Sequence, residues 1–181
     1  MNLVVRKIRL LLVIACFAIL SAGCATSQGS HRLTSPPQGE VKLAKYTDLC
    51  VEVTCSKGVS ISTSDADRIK DLIVKYVPTE CPIPFKCIDQ PDPGKDTILA
   101  KVNITKYDEG NSFARLMLAG LGQMHIDANV GLTDYATGNQ LFRSEVKKSF
   151  AWGGLYGGST QITDIEEGFA KAVAASFSGK D

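Results

Sequence analysis

Apolar and polar residues alternate strictly from Met124 onward. Met124, Ile126, Ala128, Val130 and Leu132 are separated by His125, Asp127, Asn129, Gly131 and Thr133. A period of two puts one set on each face of a β-strand. A second alternating run, Gln140 to Trp152, follows Ala136-Thr137-Gly138. A three-residue hairpin loop needs a left-handed third residue, and Gly138 supplies it. Pairing Tyr135 with Asn139 sets the register. Leu132 then faces Phe142, Ala128 faces Val146, and Met124 faces Phe150, while Asp127 meets Lys147 on the other face. A slip of one residue would turn the apolar set to solvent.

The rest of the chain reads in the same way. Thr47–Thr54 alternates, with Leu49, Val51 and Val53 on one face. Ser62 and Ser64 each precede an Asp by three residues, an N-cap pattern. Ala66, Ile69, Leu72, Ile73 and Tyr76 follow at helical spacing, and Pro78 is expected to end that helix. Phe85–Asp89 reads as a short strand, residues 90–94 as a turn, and Thr97–Tyr107 as a long strand. Thr163-Asp164-Ile165-Glu166 reads as a capping box ahead of a helix striped by Ile165, Phe169, Ala172, Val173 and Ser176. The order β-α-β-β-β-β-α predicts a two-layer α+β domain: a mostly antiparallel five-stranded sheet with two helices on one face. The first β-α-β unit should be parallel and right-handed.

The N-terminus carries a different signal. Arg6, Lys7 and Arg9 precede a short apolar run that ends at Leu20, followed by Ser21-Ala22-Gly23-Cys24. Such a run is a secretory signal rather than a spanning helix. The small residues before Cys24 resemble a lipobox, with Ser21 standing where Leu is usual. That resemblance implies cleavage before Cys24, acylation of this cysteine with palmitate-type chains, and, since Ala25 rather than Asp follows, an outer-membrane location on the periplasmic side. Residues 1–23 are then a signal peptide. Residues 24–40, small and polar with two prolines, are expected to be a flexible tether, and residues 41–181 a single domain. Of the 20 Lys and Arg residues, three leave with 1–23, so the mature chain has 17 against 19 Asp and Glu, a net charge of −2. Nothing in that balance points to nucleic acid.

Cys50, Cys55, Cys81 and Cys87 form an even set in an oxidising compartment, which reads as two disulfides. A parallel β-α-β unit favours Cys50–Cys81 and Cys55–Cys87, with a local Cys81–Cys87 bridge as the alternative. Zinc is the rival reading, disfavoured by the spacing and the lack of a nearby His. No cofactor or metal is expected.

The hairpin register brings two glycine-rich apolar stretches to one end of the sheet, residues 113–122 and 151–158. Phe113, Leu116, Met117, Leu118, Leu121, Trp152, Leu155 and Tyr156 either finish the core there or form an interaction patch for another copy, a partner or lipid. Gly153 through Thr160 nearly spells a phosphate-binding loop, but Ser159 stands where the essential Lys belongs. The register also sets Ser149 opposite His125 with Asp127 alongside. These are the residue types of a hydrolytic triad, but on an open sheet face without a pocket. No catalytic residue is therefore expected.

Tyr107-x-x-Gly110-x-x-x-Ala114-Arg115, the stretch to Gly122, Asp134-Tyr-Ala-Thr-Gly138 and Gly153-Gly-x-x-Gly157-Gly158 together resemble a family of bacterial envelope lipoproteins, domain of unknown function 4410. The resemblance covers about 75 residues well. It implies an envelope lipoprotein and brings no activity with it. The expectation is a non-enzymatic, outer-membrane-anchored binding or assembly module, touching the membrane through its lipid and another copy or an envelope protein through its apolar end. The alternative is an oligomeric secretion or channel component. A small hydrolase using His125 is a lesser one.

Overall fold

The computed structural model describes residues 27–35, 43–92, 94–118 and 121–180. The signal segment, Cys24 and part of the expected tether lie outside these residues. Six strands form one mixed sheet in the order β1-β6-β5-β4-β2-β3. They are β1 (Ser30–Ser35), β2 (Asp48–Cys55), β3 (Lys86–Ile88), β4 (Thr97–Asp108), β5 (Met124–Asp134) and β6 (Gln140–Phe150). Two long helices, α1 (Thr63–Glu80) and α4 (Ile162–Ser176), cover one face, and two short ones, α2 (Ser112–Met117) and α3 (Gly154–Ser159), lie between. The α+β class stands. Among the described residues the strand count rises from five to six and the helix count from two to four, and the sheet is mixed.

The extra strand comes from the segment read as tether. Ser30–Ser35 carries one large apolar residue, Leu33, so its composition looks unstructured. What orders it is the backbone: β1 pairs antiparallel with β6, Ser30 opposite Lys147 and Leu33 opposite Ser144. Without it, the eleven-residue β6 would be a long open edge.

The β5–β6 hairpin has the expected register. Met124 faces Phe150, Ala128 faces Val146, Leu132 faces Phe142, and Asp127 meets Lys147. A register shift after Leu132 accommodates the turn, where Gly138 has a φ of 72°. β4 pairs antiparallel with β5 and parallel with β2, and β2 pairs parallel with β3 as expected of the β-α-β unit. The inward set from both long strands joins Ile69, Ile73, Phe169 and Val173 of the helices in one core.

Both helix boundaries depart from expectation. Ser62 caps α1, its hydroxyl accepting the Asp65 N–H at 3.1 Å, but Pro78 does not end the helix. Pro78 lacks the N–H that would bond the Val74 carbonyl, but the helix runs on to Glu80 and the Cys81 N–H still reaches the Val77 carbonyl at 3.0 Å. The last helix starts one residue before Thr163. Gln161 is its N-cap, and the Asp164 carboxylate accepts the Gln161 N–H at 2.7 Å. Glu166 is thereby released from its expected capping role and turns inward.

Candidate functional site

The two glycine-rich stretches meet at one end of the sheet, each shaped by a short helix. Asn111 caps α2, its side-chain oxygen accepting the Ala114 N–H at 2.9 Å. Arg115 follows on α2 and is 2% exposed. Its guanidinium bridges both stretches. Nε donates to the Gly157 carbonyl at 2.8 Å, Nη1 to those of Glu109 and Gly122 at 2.9 and 2.8 Å, and Nη2 to that of Thr160 at 3.1 Å. Four carbonyl dipoles thus take the place of water around a buried cation, which would otherwise be costly to bury. The backbones come too close for larger residues: a Cβ on Gly157 would strike the Trp152 carbonyl. Tyr156 leans edge-on against Phe150, ring centroids 5.7 Å apart, tying α3 to the sheet.

On this frame stand the eight apolar residues expected to form a core lid or a patch. All eight are exposed and none joins the core, Leu155 at 85% and Phe113 at 69% being the most open. Leu116, Met117, Leu118, Leu121, Trp152 and Tyr156 complete the surface. Arg115 is the sole charged residue between Glu109 and His125, and no charged residue lies between Lys148 and Asp164. The surface is therefore apolar with only hydroxyl, amide and backbone polarity.

Beneath it lies a cleft of about 610 Å³ lined by Asp65, Arg68, Tyr107, Arg115 and the turn from Gly158 to Thr163. Of its ionisable lining groups, Asp65, Arg68 and Tyr107 are tied into one network with Glu166, Arg115 is spent on carbonyls, and Glu109 stands exposed at the rim. Arg68 donates through Nε and Nη2 to the two oxygens of the fully buried Glu166 at 2.7 and 2.8 Å, and also to Asp65 at 2.6 Å. The Tyr107 hydroxyl donates to Glu166 at 2.7 Å. The Glu166 bond keeps the Arg68 guanidinium above its ordinary value, and burial, then the same carboxylate, pushes the Tyr107 phenol far up. This cluster fastens α1, β4 and α4 together beside the tip.

The chain also enters the fold at this end. β6 runs toward the tip, and β1, antiparallel to it, starts there. Just upstream, the Lys148 ammonium donates to the Ser27 carbonyl at 2.7 Å and hydroxyl at 3.0 Å, and the Gly29 N–H donates to the Gly168 carbonyl at 2.8 Å. A Cβ on Gly168 would strike the Ser27 carbonyl.

The expected disulfides are not formed; all four cysteines are free thiols. β3 is three residues long and pairs with the start of β2, so Cys87 lies beside Leu49. Cys55 is six residues further along β2, about 20 Å away. Cys50 lies on the face away from the helices and points its thiol at the Asp89 carbonyl, 3.5 Å off, whereas Cys81 belongs to the helix-side core. Burial raises the Cys81 and Cys87 thiols, and the Cys81 charge adds to the rise at Cys87. His125 and Ser149 are cross-strand partners as expected, on the sheet face away from the helices, with Asp127 two residues along.

Sequence reasoning missed Arg115 and Glu166. Both had signals: Arg115 is an isolated charge in an apolar stretch, and Glu166 falls inside the apolar stripe of α4.

The fold and site define a class: a small α+β domain with two long helices on a six-stranded sheet and a clamped, glycine-rich apolar tip. The chain belongs to the family described as domain of unknown function (DUF4410), whose model matches residues 61–154. No curated protein matches in sequence. Among solved structures, the chain is similar to the PelC dodecamer from Paraburkholderia phytofirmans, with 13% identity, a TM-score of 0.53, and coverage of 85% of this chain and 100% of that one. A single-substitution variant of that dodecamer gives 10% identity, a TM-score of 0.52, and coverage of 82% and 95%. At this identity the likeness shows the fold.

Proposed function

We propose that the protein is a non-enzymatic lipoprotein of the bacterial envelope, acylated on Cys24, held on the periplasmic side of the outer membrane, and working as a binding or assembly module through its apolar tip. The observation that carries this reading is the exposure of all eight tip residues on a frame that Arg115 clamps through four carbonyls. A core lid would have buried them, and a contiguous exposed apolar surface marks a contact site. Asp65, Arg68, Tyr107 and Arg115 of the adjacent cleft are engaged in bonds that hold the fold, which supports binding over catalysis.

A second reading, an oligomeric channel or secretion component, is favoured by one observation: the similar PelC structures are described as dodecamers. Light scattering on residues 25–181 over a range of concentrations separates the two. A defined high-order oligomer establishes the second reading. A monomer at all concentrations removes it and leaves a tethered binding module. Intact mass of the membrane-extracted protein tests the anchor: the reading requires the mass of residues 24–181 plus acyl chains, and the unmodified mass overturns it.

A further inference from the structure

We infer that the surface the apolar tip docks on is the lipid bilayer that receives the chain's own anchor. The inference rests on the lipoprotein reading and deepens it. Its first support is where the chain leaves the fold. Ser27 is fixed by Lys148, and Gly29 by Gly168, at the end of β6 that runs into Trp152 and α3. Cys24 stands only three residues before Ser27, a reach of about 10 Å at full extension. A bilayer entered by the acyl chains of Cys24 therefore lies against the tip end of the sheet. The helices and the open sheet face stand to the side of it.

The second support is the chemistry of the tip. Leu155 and Phe113 project furthest, 85% and 69% exposed, with Met117, Leu118 and Leu121 beside them. Trp152 and Tyr156, rings with one apolar body and one polar edge, lie on the same surface. Such rings favour the headgroup level of a membrane. The one cation of the stretch, Arg115, is turned inward and spent on four carbonyls, so no charge has to be dragged into lipid. No described helix is long and apolar enough to span. The contact is thus a shallow second foothold beside the acyl anchor, and it fixes which way the domain faces. With a mature net charge of −2, the contact is apolar rather than electrostatic, so salt should not weaken it.

The chain holds one tryptophan, Trp152, so its emission reports on the tip alone. The test places the acylated mature protein in phosphatidylethanolamine–phosphatidylglycerol vesicles, with and without bromine on the upper acyl carbons. The expected result is a blue-shifted Trp152 emission quenched by the brominated lipid. Residues 25–181, which contain every described element but lack Cys24, should partition onto the same vesicles, and Phe113→Ser with Leu155→Ser should weaken that partition roughly ten-fold or more without moving the unfolding midpoint. Unquenched, unshifted emission in the acylated protein overturns the inference. So does a blue shift that tracks protein concentration in the absence of lipid, because it assigns the tip to a second copy. The two readings fail separately. Acylated Cys24 with unquenched Trp152 removes the docking and keeps the anchor. Quenched Trp152 in a chain whose Cys24 carries no lipid removes the anchor and keeps the docking.

Discussion

Arg115 carries more of the tip than any other side chain. Replacing it with Ala would leave four carbonyls, those of Glu109, Gly122, Gly157 and Thr160, without their donor, the bonds to Gly157 and Thr160 being buried. The expected loss is about 3 kcal/mol, read as a lower urea midpoint. Arg115→Lys should recover only part, because one ammonium cannot reach four carbonyls around a plane. Leu155→Ser, at the same tip but exposed, should stay within about 0.5 kcal/mol of the parent. Tyr107 gives a pH dependence. Its phenol, buried against Glu166, is held far above its ordinary value in the folded state, whereas the unfolded chain ionises near 10. Its contribution is therefore complete below pH 10 and is lost as pH rises toward the folded value. Tyr107→Phe should cost about 1 kcal/mol at pH 7 and flatten the fall in stability above pH 10, measured by urea unfolding from pH 7 to 11. Tyr46, raised mainly by its own burial, leaves a residual slope.

At the scale of elements, what could be read in the chain followed from period and register. β5 and β6 were legible because five apolar residues of β5 had to share a face with Phe142, Val146 and Phe150 of β6, and a single glycine turn then fixed the partners from Met124 to Leu132. β1 was not, because its order comes from hydrogen bonds to β6, which leave no mark on composition. The cysteine pairing failed for a related reason. The sequence showed two strands but not that β3 would stop after three residues and meet only the start of β2. The tip was located correctly by register, yet its clamp was hidden, since a guanidinium that binds carbonyls needs no acidic partner in the sequence. Gly168 tests the docking of β1. A side chain there collides with the Ser27 carbonyl, so Gly168→Ala should expel residues 27–29 and loosen the strand behind them. Limited trypsin digestion should then cut after Arg32 many times faster, while the core helices stay protected. Equal cutting rates in parent and variant would show that β1 holds without the latch.

At the scale of the whole molecule, the sheet has two unlike edges. β3 is short and ends in a turn, and β1 is joined directly to the segment that bears Cys24. On the proposed lipoprotein reading the N-terminus is the point of attachment, and the place where a pull arrives decides what gives way. A force on the N-terminus of this chain meets the Lys148–Ser27 and Gly29–Gly168 bonds first, then peels the antiparallel β1 from β6 one pair at a time. None of the nine residues 27–35 that would be released belongs to a helix or to the β5–β6 hairpin. Their release would pay out about 30 Å of extra leash. On that reading the same strand that closes the sheet at rest would double as slack, letting the domain step away from its point of attachment without unfolding and re-zip when the load is gone.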